Sequence, residues 1–317
     1  MTGVLVVGDA NPDLILTGDT VPRFGQAEQL LDGADLVVGG SASIVACGLA
    51  TLGVSTALIA AVGDDDFGRF MTDHLARLGV DTSAIVVDPS TPTGLSVILA
   101  TSGDRSILTL PGTIPTLTAQ AVLAAVDRLQ PQHVHIASFF LQPMLAAGLP
   151  ALFATVKERG ITISLDTNWD PAERWAGLDE VLPLVDVFLP NREEVLAIAR
   201  VTTDAAPDVS PDTAAAALAA LGPRVVVKSG ADGGVSVAAD GRIVRAPGLV
   251  IDVVDTTGAG DSFDAGYLAA LVAGVASEEE RVRWAAVAGS LSTRGAGGTG
   301  FQATASELAS HLASAAR

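Results

Sequence analysis

Cysteine, lysine and positive charge are what this sequence has least of, and each shortage excludes something. Cys47 is the one cysteine in 317 residues, so neither an intramolecular disulfide nor a multi-cysteine metal site can form, and a reducing cytoplasm is the expected setting. Lys+Arg total 18 against 36 Asp+Glu, a formal net charge of −18, and the lysines number just two, Lys157 and Lys228. A phosphate backbone or an anionic bilayer is gripped by a dense cationic surface, so no nucleic acid and no membrane is expected as a partner. Several familiar motifs are missing too. Neither lysine stands in a G-x-x-x-x-G-K-[ST] loop, and Gly8-Asp9-Ala10-Asn11 after the first strand is not the G-x-G-x-x-G of a Rossmann dehydrogenase. The four histidines show no zinc spacing and no Ser-His-Asp order.

Apolar material is plentiful: hydrophobic residues make up 49% and charged ones 17%, which supports a large core and argues against disorder. The mean hydropathy of +0.46 and the uncharged stretch from Val37 to Gly63 invite a transmembrane reading. Its many Gly, Ser and Thr residues divide that stretch instead into a loop, a small-residue helix and a buried strand. Met1-Thr-Gly-Val-Leu lacks the basic start of a signal peptide. A soluble, cytoplasmic protein is expected.

Short apolar runs alternate with helical patterns. Val4–Val7, Ala57–Ala61, Val134–Ala137, Ile161–Leu165, Val185–Leu189 and Val225–Val227 read as buried strands. Helices are expected over 43–52, 67–78, 118–129, 143–159, 192–199 and 213–221, and then over 259–273, 277–292 and 305–315. Such alternation predicts an α/β fold, a mostly parallel sheet covered on both faces. Residues 13–38 and 91–110 break the pattern with short β-type runs and no helices, and predict a small separate sheet acting as a lid on one domain spanning 1–317.

The strongest chemical signal is Asp255-Thr256-Thr257-Gly258-Ala259-Gly260-Asp261-Ser262-Phe263 at a helix start. A Gly-Ala-Gly turn there leaves backbone N–H groups unpaired and, with the helix dipole, makes an anion site at Gly258, Ala259 and Gly260. Asp261 would then stand beside the anion. That placement suits a base taking the proton from a hydroxyl that attacks a bound phosphoryl group.

This nine-residue run closely resembles the C-terminal signature of the ribokinase-like (PfkB) carbohydrate kinases, and further matches follow in that family's order. Gly8-Asp9-Ala10-Asn11-Pro12-Asp13 resembles the segment carrying a substrate-binding aspartate, which maps to Asp13. Gly39-Gly40-Ser41-Ala42-Ser43 resembles the N-terminal signature, which places Gly39, Gly40 and Ser43 at the acceptor. Pro190-Asn191-Arg192-Glu193-Glu194 resembles the N-x-x-E element, implying that Asn191 and Glu194 arrange Mg²⁺ and the nucleotide phosphates. Val226-Val227-Lys228-Ser229-Gly230 resembles the strand end beside the nucleotide, implying roles for Lys228 and Gly230. The resemblance implies a three-layer α/β/α sandwich with a β lid. It further implies an ATP- and Mg²⁺-dependent kinase for a hydroxymethyl group of a sugar-like acceptor. A K⁺ ion on Asp255 and Thr257, with later ligands near 291–300, and a homodimer paired through the lid complete what it implies.

Two departures bear on the acceptor. Ile44 stands where family members usually carry an asparagine that bonds a sugar hydroxyl, and Phe139-Phe140-Leu141-Gln142 stands where ribokinase places an acidic contact. Ribose specificity therefore does not transfer. A nucleoside kinase is the alternative within the family, and a non-catalytic metabolite sensor is the alternative outside enzymes. Arg105, on a lid strand, would suit an acceptor carboxylate or phosphate. His133 and His135 read as a strand pair near the sheet edge, and Cys47 as a buried structural thiol. Trp169, after a strand end, borders the expected cleft.

Overall fold

Each short apolar run ends at a Gly, Pro or polar turn, and in the computed structural model the runs become strands of one sheet. The structure describes residues 2–25, 28–101, 105–203 and 205–314. In chain order the strands are β1 (Val4–Val7), β2 (Asn11–Gly18), β3 (Leu31–Gly39), β4 (Thr56–Ile59), β5 (Ala61–Gly63), β6 (Val86–Asp88), β7 (Leu95–Ala100) and β8 (Arg105–Leu110). There follow β9 (His133–Ile136), β10 (Thr162–Leu165), β11 (Val187–Phe188), β12 (Arg224–Lys228), β13 (Gly234–Val237) and β14 (Ile243–Ala246). The main sheet runs β14-β13-β12-β11-β10-β9-β1-β4, with β4 to β12 parallel and the β13 and β14 hairpin antiparallel at one edge.

The helices are α1 (Ser41–Thr51), α2 (Asp66–Arg77), α3 (Ala119–Leu129), α4 (Pro143–Ala146), α5 (Leu149–Glu158), α6 (Arg192–Thr202), α7 (Pro211–Ala219), α8 (Ala259–Val272), α9 (Glu278–Ser292) and α10 (Ala305–Ser314). Alternation along the strands decides which layer each helix joins. Leu5, Val7, Val134 and Ile136 pack with α3, α5, α6 and α7 on one face. Val4, Val6, Leu58 and Val226 pack with α1, α2, α8 and α9 on the other. This is a three-layer α/β/α sandwich with a mostly parallel centre. Among the described residues no helix is long and apolar enough to cross a membrane.

A second sheet, β3-β2-β7-β8, draws its strands from 11–39 and 95–110. Asp13 lies inside β2, opposite Val37 and Ser96, rather than in a turn after a strand, because the strand already begins at Asn11. The helix expected over 143–159 is two helices. Pro150 in the first turn of α5 cannot donate back along the chain, and Gly148 passes so close to α3 that a Cβ would lie 2.5 Å from that of Ala119. His133 and His135 are not near the sheet edge: β9 lies between β1 and β10, and both rings are fully buried. Their partners are Thr162 and Ser164 on β10, at 2.7 Å, and burial pushes the two rings down to about 4 and about 3, so both are neutral. Cys47 is buried in α1, where burial raises its thiol to about 12 and keeps it inert.

Candidate active site

Parallel strands deliver their C-terminal ends to one rim, and α8 starts against that rim. Gly258 turns the chain with φ 71°, a left-handed conformation that suits glycine, and a Cβ there would lie 2.8 Å from the Gly298 Cα. The Ala259 N–H is used in this turn, donating to the Thr256 carbonyl at 3.2 Å. The Gly260 and Asp261 N–H groups have no acceptor among the described residues, so these two amides, with the helix dipole behind them, are open to an anion. Ile44 packs below the turn: a Cβ on Gly258 would meet its Cγ2 at 3.1 Å, and one on Gly298 its Cδ1 at 2.5 Å.

Asp261 is the third residue of α8, and Ser41 Oγ donates to its Oδ1. Burial pushes the Asp261 carboxyl up to about 7, with the Ser41 hydrogen bond opposing and the charge of Asp166 adding. Its base form is thus available near neutral pH. Ser41 is fixed in turn by Asp9, whose Oδ2 accepts from the Ser41 N–H at 3.2 Å and whose Oδ1 accepts from Ala42 N–H at 3.0 Å. Ser43 is fully buried, its hydroxyl donating to the Asp9 carbonyl at 3.0 Å. Asp13 lies over Gly39, so close that a Cβ on Gly39 would be 2.1 Å from its carboxyl carbon. Asn11 Nδ2 donates to Asp13 Oδ1 at 3.1 Å, and Gly40, at φ 80°, lets α1 start directly beneath. The Arg105 side chain lies outside the described residues; its backbone opens β8.

Lys228, the last residue of β12, points to the α8 face. Its Nζ donates to Asp166 Oδ2 at 2.7 Å and to Asp264 Oδ2 at 3.2 Å, and its stem passes Gly260, whose Cβ would lie 3.8 Å from Nζ. Burial pushes both carboxyls up, and strongly favours the protonated form of Asp264; for Asp166 the Lys228 charge and the hydrogen bonds from Lys228, Asp264 and the Asn168 N–H together outweigh burial, and it is held below the usual carboxylate range. Burial lowers Lys228, but the surrounding carboxylates outweigh it and hold the ammonium charged. Asn191 and Glu194 form a capping box on α6: the Glu194 N–H donates to Asn191 Oδ1 at 2.9 Å, and the Asn191 N–H donates to Glu194 Oε2 at 2.8 Å. Glu194 is 4% exposed, and burial with the nearby Asp166 pushes it up to about 7. Gly230, exposed at φ 58°, starts the turn after β12.

Asp255 joins two segments. Its Oδ1 accepts from the Thr257 N–H at 2.9 Å and hydroxyl at 2.8 Å, and its Oδ2 accepts from the Gly297 N–H at 3.0 Å. Sequence reasoning missed Asp166, Asp264, Ser41 and Asn168. Asp264 was findable, since it follows Asp261 by three residues on one helix face, and Asp166 ends a parallel strand. Beyond the rim, Phe139, Phe140, Trp175 and Trp169 stack edge to face at centroid distances of 5.1, 5.5 and 4.9 Å.

On this sandwich the glycine turn at the start of α8 thus has a carboxyl, Asp261, beside it. The pattern of the pfkB family carbohydrate kinases matches residues 1–304, and the chain belongs to that family. It is similar to an ATP-dependent ribose-1-phosphate kinase of Halopiger xanaduensis, 31% identical over 98% of both chains. It is similar also to a fructokinase of Klebsiella pneumoniae, 31% identical over 85% of this chain and 84% of that one. Among solved structures, Arabidopsis thaliana ribokinase complexed with ribose and ATP superposes at a TM-score of 0.85, with 25% identity over 98% of this chain and 99% of that one.

Proposed function

We propose that this protein transfers the γ-phosphoryl group of ATP to a hydroxymethyl group of a sugar-like acceptor, as one domain closed by the β2, β3, β7 and β8 sheet. The observation that carries this reading is the pairing at the start of α8: two open amides, Gly260 and Asp261, beside a carboxyl whose pKa is about 7. Asp13, over Gly39 and Gly40, orients the acceptor. Asp261 takes the hydroxyl proton as the oxygen attacks, and the two amides hold the charge spreading over the transferred group. Lys228 adds a fixed positive charge beside Gly260, and Gly230 leaves the rim open for the nucleotide. Closure of the sheet expels water that would otherwise accept the phosphoryl group.

The Glu194 carboxyl, buried with Asn191 next to the phosphate end, is an oxygen donor of the kind Mg²⁺ prefers, and these two would hold the ion through water. Bound there, Mg²⁺ supplies charge neutralisation of the phosphates. Asp255 and Thr257, tied to the 297 loop, fit a K⁺ site, and activity is expected to rise severalfold when K⁺ replaces tetramethylammonium in the assay. A cytoplasmic setting fits the single buried thiol. Ile107, Leu108 and Leu110 on β8 are each half exposed or more, which favours pairing of the lid with a second copy; sedimentation of the purified chain tests that pairing.

Gly39→Ala is expected to raise the acceptor KM roughly tenfold or more, because the new methyl must displace the Asp13 carboxylate. Stability should change by less than about 1 kcal/mol, since that side chain can rotate away. Steady-state kinetics with a thermal melt separate the two effects. A screen of sugars, keto-deoxy acids and nucleosides for acceptor-dependent ADP release tests the function. Release with one acceptor class supports it; tight acceptor binding with no ADP release overturns it in favour of a sensor. A nucleoside acceptor is the second reading, favoured by Trp169, which is 50% exposed directly after Asn168 at the rim.

A further inference from the structure

We infer that Ser41 is the positioning residue of the catalytic base: its hydroxyl holds one oxygen of Asp261 and leaves the other turned to the acceptor. This inference rests on the reading of Asp261 as base. The geometry is asymmetric. Asp261 Oδ1 accepts from Ser41 Oγ, whereas Oδ2 has no partner among the described residues. A carboxylate held at one oxygen loses the freedom to rotate about its last bond, and the free oxygen is then aimed.

Ser41 is itself over-determined. It is the first residue of α1, entered through the left-handed Gly40, and its N–H is anchored on the buried Asp9. The Ser43 hydroxyl holds the Asp9 carbonyl from the next part of the same turn. On the far side Asn168 brings its Oδ1 to 3.4 Å from Ser41 Oγ and donates from Nδ2 to Ser138 Oγ at 3.2 Å. Two segments, the β1 to β2 connection through the backbone N–H and the stretch after β10 through the hydroxyl, thus hold Ser41 at the start of α1, where its hydroxyl meets α8. The serine is 7% exposed, so water does not replace it in this contact.

A hydroxyl that donates to the carboxylate also favours its ionised form. The other groups facing Asp261 come from every element packed around it: Asp166 at the end of β10, Lys228 at the end of β12, Asp264 on α8 itself and Asp9 below α1. Two of these, Asp166 and Asp9, are acids whose charge opposes ionisation of Asp261, so the Ser41 bond and Lys228 are what keep the base form accessible near neutrality.

The experiment compares wild type, Ser41→Ala and Ser41→Thr by two readouts. The first is the Asp261 titration in the purified full chain, followed by ¹³C NMR of labelled aspartate carboxyls with Asp261→Asn to assign the signal; it needs no acceptor. The second is the pH profile of kcat/KM with the acceptor found by screening. Ser41→Ala should move the Asp261 titration upward by about one pH unit and the acid limb of the profile with it. At pH 6 that is a roughly tenfold loss of kcat/KM, shrinking to a few-fold on the alkaline plateau. Ser41→Thr, which keeps the hydroxyl, should restore both. An Asp261 titration identical in wild type and Ser41→Ala overturns the inference, and so does a shifted titration with an unmoved acid limb. If instead Asp261→Asn keeps its turnover, the base assignment itself falls while the titration still reports the Ser41 contact.

Discussion

Asp261→Asn is expected to lower kcat by roughly three orders of magnitude, while nucleotide affinity stays within a few-fold of wild type. Asparagine keeps the shape and both backbone amides of the anion turn, so the phosphates find the same cradle. It also still accepts from Ser41 Oγ. What it lacks is a site for the acceptor proton, and with the proton retained the hydroxyl is a poor nucleophile. Single-turnover ADP formation with calorimetric titration of nucleotide checks both halves; a near-normal kcat would remove Asp261 from the mechanism.

The same variant carries a stability signature of opposite sign. Burial raises the Asp261 carboxyl from 3.8 to about 7 in the folded chain. An acid raised in the native state favours the fold while protonated, and that advantage disappears as pH climbs from about 4 through about 7. At pH 8 the wild type therefore bears an ionised, half-buried carboxylate that Asp261→Asn does not. The full shift overstates the cost, because Asp261 is only partly buried and water screens it, so about 2 kcal/mol is the expected gain. Thermal melts at pH 5 and pH 8 should show the variant pulling ahead as pH rises. A more stable and nearly inactive protein is the outcome expected where function holds a carboxylate under strain.

Much of the architecture is legible in the residues because it depends on local period. The alternation of apolar runs and helices places β1, β4, β9, β10, β11 and β12 close to their observed bounds, and the Gly-Ala-Gly turn announces α8. The misses have a different cause. Whether 143–159 is one helix or two turns on how close α3 approaches Gly148, a tertiary fact. His133 and His135 look like edge residues until the strand order puts β9 inside the sheet. Asp166 and Lys228 stand 62 positions apart and meet because β10 and β12 flank the short β11 and both residues project to the α8 face. A pattern read along the chain carries no information about that adjacency. Ser41 is hidden for the same reason: its partner on α8 is 220 residues away.

That buried meeting gives the second large effect. Lys228→Met should destabilise the fold by roughly 3 to 5 kcal/mol, because Asp166 and Asp264 are 1% and 0% exposed at the side chain and lose their only counter-charge at hydrogen-bond distance among the described residues. Asp264, which burial pushes toward its protonated form, tolerates this; Asp166, held below the usual carboxylate range, does not. Without the ammonium, burial drives the Asp166 carboxyl upward, so the variant's deficit should be largest above neutrality and shrink as pH falls. Adding Asp166→Asn removes the stranded charge, and the double variant should recover most of the lost stability. Activity should not follow. The Lys228 stem runs along Gly260, where the anion turn has two amides and one helix dipole, and nothing in Lys228→Met/Asp166→Asn replaces the missing cation. A kcat/KM at least a hundredfold below wild type is expected in both variants. A double-mutant cycle in stability and in kcat/KM separates the two roles. Coupling in stability with none in catalysis marks Lys228 as a charge aimed at the phosphoryl group, whereas joint recovery of both would make it only the pillar on which Asp166 rests.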